Sequence, residues 1–281
     1  MSRTLLTLLL LALPATLAAQ EDQPPGNHGL NPARGNGLRL TVGGYGIGIG
    51  NVPRVNGIRL NVRDSYLEAV NGLNLTVWKP AGGVRGTVNG LALGLVLPSA
   101  HSINGLGVGG LGVLTRAKAS GVFAGGLATV AQGGLDGVGA AGLAVVAGGH
   151  SRGIMVGGLS AFNGGDLVGV AAGGLAVIVD RDLEGAALGG LAVVATRDLT
   201  GIGLGGLAVV AGDRLRGVAV AGAWLKAERF AGFGAALYTD VGVQHGVTIG
   251  IYNSADRLKG LQIGLLNRAG NRTLPLLNWG F

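Results

Sequence analysis

"GGLAVVATRDLTGIGLGGLAVVAGD", Gly189 to Asp213, contains the block GGLAVVA twice, sixteen residues apart. The leucine of this block recurs at Leu111, Leu127, Leu143, Leu159, Leu175, Leu191 and Leu207, and Ala223 holds the next place. A glycine ten residues beyond each leucine recurs with it, from Gly121 to Gly217. A fixed period of this length marks a repeat architecture, in which one unit cannot bury its apolar surface without its neighbours.

Looser copies flank the array. "VNGIRLNV" (55–62), "VNGLNLTV" (70–77) and "VNGLALGL" (88–95) precede it; "GVTIGIYN" (246–253) and "GLQIGLLN" (260–267) follow. In "GIRLNV", Ile58, Leu60 and Val62 alternate with Arg59 and Asn61. In "GLQIGLLN", Leu261, Ile263 and Leu265 alternate with Gln262 and Gly264. Period two means strand. Helix fits poorly, because each glycine inside a helix costs about 1 kcal/mol against alanine.

Composition narrows the class. Of 281 residues, 58 are glycine, 48% are hydrophobic, 12% are charged and none is cysteine. Such apolar content excludes a disordered chain, and glycine without a Gly-X-Y period excludes collagen. The formal charge is +7 but the basic residues form no run, and aromatic residues are scarce at 4%. Nucleic-acid binding is therefore not expected, since it favours a basic stripe and stacking platforms.

The N-terminus reads as an export signal. Arg3 precedes the apolar run Leu5–Leu13, and Ala18 and Ala19 stand before Gln20. Ten or so apolar residues are too few to span a bilayer. The expected organisation is a signal peptide over 1–19, a polar leader over 20–37 and a single β-repeat domain over 38–281.

Two architectures fit the domain. The favoured one is a closed antiparallel, barrel-like structure of about 14–16 short strands, because the apolar stretch of each repeat matches the roughly 9–11 residues of a membrane strand. Its bulky face, including Leu204, meets lipid, and Leu207 faces the interior. The alternative is a β-solenoid with sixteen-residue coils that turn at Gly205–Gly206, with Ile202, Leu204, Leu207 and Val209 pointing inward.

The copies "GLQIGLLN", "VNGLNLTV" and "VNGLALGL" resemble a family of exported surface repeat proteins of double-membraned bacteria. That resemblance implies a cell-envelope location and a closed β repeat, with no reaction attached. The ending "TLPLLNWGF", with Trp279 and Phe281, resembles the insertion signal of outer-membrane barrels and implies the insertion machinery as a partner. Leu276 and Pro275 depart from its pattern.

Chemical motifs are missing from the sequence. His28, His101, His150 and His245 lie far apart, with no HExxH or paired-histidine spacing. "GGLDG" (133–137) faintly resembles a calcium nonapeptide, but the aspartates of neighbouring repeats sit at other offsets. There is no G-x-S-x-G elbow or phosphate loop. No catalytic, cofactor-binding or metal-binding residue is therefore expected. The expected function is a non-enzymatic protein in or on the outer membrane, holding lipid or another hydrophobic molecule. The alternative is a surface scaffold or adhesin.

Overall fold

The computed structural model describes residues 37–80 and 85–281. The signal peptide and the leader lie outside these residues, apart from Gly37, which opens the first strand. The described residues hold 24 strands and no helix. All 24 strands belong to one hydrogen-bonded system.

Each central repeat is one coil of a solenoid. A long strand such as Leu199–Gly205 runs along one face. The chain turns at Gly206–Leu207, and a short strand, Ala208–Ala211, returns along the other face. A second turn at Gly212 and Asp213 leads into the next long strand. Leu199–Gly205 pairs in parallel with Leu183–Gly189 before it and with residues of Arg214–Ala221 after it, each residue meeting the one sixteen away. Ala208–Ala211 pairs with Ala192–Ala195 in the same way. Antiparallel pairing is confined to the two ends. There Gly37–Val42 folds onto Tyr45–Gly50, and Arg272–Gly280 folds onto Gly260–Ala269.

This corrects the barrel expectation in favour of its alternative. A hairpin barrel needs neighbouring strands to run in opposite directions, so that residues one repeat apart do not line up across a strand pair. Here like residues meet on every rung. The determinant is the glycine ten residues past each leucine. Gly201 has φ +125°, and a Cβ on it would lie 2.0 Å from the carbonyl oxygen of Gly185. Only glycine fits such a site. The stack runs unbroken from Gly46 to Gly260. Its steps are sixteen residues from Gly105 to Gly217, eighteen between Gly72 and Gly90, and fourteen between Gly232 and Gly260. Turns absorb the difference in length while the glycines stay aligned.

The direction of the side chains also differs from expectation. Leu199, Gly203, Gly205, Val209 and Ala211 point inward. Of the four residues expected inside a solenoid coil, Val209 is fully buried, whereas Ile202, Leu204 and Leu207 are 46%, 37% and 53% exposed. The corner at Gly206 does turn the chain, but it comes after the outward Leu204 instead of carrying that residue inward. The outward placement of the Leu204 face agrees with the side the barrel reading gave to lipid; Leu207 lies outside as well.

The interior is narrow and filled. Leu183, Leu199 and Leu215 stack on one side, and Val177, Val193 and Val209 on the other. Each such side chain contributes about 1.5–3 kcal/mol on burial. Volume is traded between rungs: a Cβ on Gly107 would lie 2.7 Å from the ring of Phe123 on the next coil. The lipid-holding interior expected from sequence is thus replaced by packed side chains.

Gly201→Ala forces a methyl group against the Gly185 carbonyl at an unfavourable φ. It should destabilise the solenoid by about 3 kcal/mol in urea titration. Thr200→Ala, one residue away and exposed, should stay within about 0.5 kcal/mol. Equal, small effects at both positions would mean that the glycine stack does not set the register.

Candidate functional site

Because every coil is a translation of the last, each coil position becomes a row along the solenoid. Between Leu106 and Ala223 there are seven basic and seven acidic residues. All fourteen fall on the five coil positions represented by Thr196–Thr200, so one edge of these central coils collects all of their charges. The opposite edge is the leucine corner from Leu111 to Leu207, whose backbones bond rung to rung, as in Leu207 N–H to Leu191 C=O at 2.7 Å.

The aspartates of the charged edge have structural partners. Asp166, Asp182 and Asp198 each accept a hydrogen bond from the backbone N–H sixteen residues on, at Asp182, Asp198 and Arg214. Asp182 and Asp198 also pair with Arg197 and Arg214, at 3.0 and 3.1 Å. Arg229 grips Asp213, and this hydrogen bond holds the Asp213 carboxyl below the usual carboxylate range. Asp136, the aspartate of the "GGLDG" stretch, pairs with Lys118 at 2.5 Å. Among the described residues, no group of three or more His, Asp or Glu is placed to hold a metal ion.

The histidines are not brought together. His150 sits beside Asp166 at 2.9 Å on the charged edge. His245 lies on the long face opposite Ala231, His101 is in an exposed turn, and His28 lies outside the described residues. The asparagines of the three early VNG copies, together with Asn104, form a ladder. Asn71 donates to Asn56, Asn89 to Asn71 and Asn104 to Asn89, each at 2.8 Å.

Two clusters escape motif reading. The first is a buried polar plug in the N-terminal coils. Arg59, fully buried, donates to Asp64 at 2.8 Å, to Asn74 at 2.9 Å and to the Val52 carbonyl at 2.9 Å. Asp64 also accepts from Asn74 and Thr76, at 3.0 and 2.9 Å. Burial pulls the Arg59 pKa down and the adjacent Asp64 holds it up; arginine remains charged. The alternation of Arg59 with Ile58 and Leu60 does signal this cluster, once the polar phase is allowed to point inward. The second is an aromatic row near the C-terminus at fourteen-residue spacing. Tyr238 stacks on Tyr252 with centroids 5.2 Å apart, Trp224 meets Tyr238 edge-on at 6.4 Å, and Lys226 lies 5.7 Å from the Trp224 ring.

An open apolar groove of about 590 Å³ runs along the outside of the solenoid. Its walls include Val156, Leu188, Leu204 and Val220, and its floor is the double glycines such as Gly205–Gly206. At the C-terminus, Trp279 lies opposite Leu261 in the antiparallel end strand, and Phe281 follows it fully exposed.

Comparison with protein-family models, with curated proteins and with solved structures finds no match.

Arg59→Met leaves Asp64 buried without its cation, which costs about 3–5 kcal/mol. In a quasi-one-dimensional fold the loss should remain local. Hydrogen exchange should quicken across residues 45–77 and stay slow across 183–221. Uniform acceleration along the chain would contradict a local plug.

Proposed function

We propose that the chain is a non-enzymatic, exported scaffold of the cell envelope of a double-membraned bacterium. The observation that carries this reading is the segregation of charge: a stack of coils with one charged edge and one leucine edge presents two different chemistries along its central coils. That geometry suits a protein that lines or bridges surfaces. The aspartates of its charged edge are largely engaged in rung-to-rung pairs, which is the work of structural groups. The signal-like segment Met1–Ala19 supports export, and the resemblance of the outer copies to surface repeat proteins supports an envelope location.

Expression in a double-membraned host, with fractionation and mass measurement, tests this. The chain should be recovered with the envelope, shortened by cleavage near Ala19. A full-length chain retaining Met1–Ala19 in the cytoplasm would overturn the proposal.

A further inference from the structure

We infer that the leucine edge of the solenoid seats in one leaflet of a lipid bilayer, with the charged edge in the headgroup layer and water. This names the surface that the envelope scaffold occupies and so extends that reading.

Four observations carry it. First, the outward row through Ile202 runs from Ile47 to Val247, and the row through Leu204 runs from Ile49 to Ile249. Neither row contains a polar side chain. With strands about 4.8 Å apart, the two rows form a continuous apolar strip roughly 60 Å long, which the leucine corner widens over the coils from Leu111 to Leu207; this is well beyond the few hundred Å² that soluble monomers expose.

Second, the terminal coils are inverted relative to a water-soluble protein. Arg59, Asn74, Thr248 and Gln262 are fully buried, while Ile58, Ile249 and Leu265 are exposed. Apolar outside and polar inside is the arrangement of a strand that faces lipid.

Third, all three tryptophans lie on the apolar side and are half-exposed. Trp78 stands at the corner two residues past Thr76, the place that Leu207 holds past Gly205. Trp224 pairs with Ala208, and Trp279 with Leu261. Tryptophan is enriched where membrane meets water.

Fourth, in the central coils the apolar surface wraps round the corner onto the short face, where Val194 and Val210 are half-buried, before that row reaches Lys226 and Asp240. A second copy pressed flat against the long face leaves the corner uncovered, whereas fluid acyl chains cover both. From Ile202 to the strand end at Gly205 the extended chain covers about 10 Å, so the apolar edge with its corner fits within one leaflet of the roughly 30 Å hydrocarbon core. Rung-to-rung bonding satisfies the backbone N–H groups along this edge, as at Gly206, Leu207 and Ala208, so immersing it strands no N–H donor there. The central charged edge carries equal numbers of basic and acidic residues, so attraction to headgroup charge is not the driving force.

The test uses the chain as recovered from cells and sealed phosphatidylcholine vesicles. The protein should float with the vesicles, and still do so at about 1 M salt, where surface electrostatics are screened. Its tryptophan emission should shift to the blue and be quenched by brominated acyl chains. A variant with Leu175→Ser, Leu191→Ser and Leu207→Ser should float at least tenfold less. Thr200→Asp, on the charged edge, should float like the parent. All of these chains share one N-terminus, so the comparison stands whether or not export processing occurs. If the triple variant fails to fold by circular dichroism, bromine quenching of the unaltered chain decides the matter. Flotation lost in salt, or tryptophans that stay open to a water-soluble quencher, overturns the proposal. So does a lipid-free dimer that shields the tryptophans.

Discussion

A missing Cβ holds this structure in register. Each ladder glycine lets the carbonyl of the glycine one coil earlier approach to where a methyl group would otherwise sit, as at Gly201 over Gly185. The contact is made with positive φ, so both its geometry and its spacing are closed to other residues. Because the same residue must meet itself on every coil, the chain can only advance by translation. Parallel pairing, a filled core and straight rows of like side chains all follow from that. So does the sorting of function. Turns that would alternate between two ends of an antiparallel barrel fall instead on a single edge, and the charges they carry fall there with them.

Much of this was legible in the sequence. The sixteen-residue period, the all-β class and the corner at the double glycine can be read from residues 189–213. The choice between barrel and solenoid was also within reach. Gly57, Gly72 and Gly90 keep the VNG context while the coil length changes, which is what a stacked backbone site requires and a barrel strand does not. The direction of the side chains was harder to read. A solenoid built on the rule that apolar residues lie inside puts Ile202, Leu204 and Leu207 in its core, but that rule runs one way only, since much apolar surface always remains outside. The corner falls after Leu204, and small residues, Gly203 and Gly205, occupy the interior positions between. No propensity argument places glycine in a core and leucine on its outside. The volume needed by the opposing short strand does so, because a Cβ on Gly205 would lie 2.1 Å from the Ala208 carbonyl oxygen.

The two ends solve a different problem from the middle. Central coils bury leucine and valine against their copies. The coils near each end replace apolar filling with hydrogen-bonded side chains: Arg59 and Asp64 at one end, and Gln244, Gln262 and Asn278 at the other. Gln262 donates to Gln244 and Asn278 donates to Gln262, both at 3.1 Å. Such networks are directional, so they hold a short stack in one arrangement where apolar packing alone would tolerate several. Antiparallel strands then close each end, and Pro275, which has no N–H to offer a further strand, lies in the last of them.

In the central coils each residue meets the residue sixteen positions on, in parallel. With no native cysteine, a pair at Ile202→Cys and Val218→Cys tests it directly. In the solenoid these Cα atoms sit on adjacent strands in register, about 4.8 Å apart and within the span of a disulfide. Mild oxidation should join them rapidly and nearly completely. If that pair fails to close while Ile202→Cys with Gly222→Cys, facing positions in an antiparallel hairpin turning at Gly212, closes readily, the stacked-coil account is contradicted.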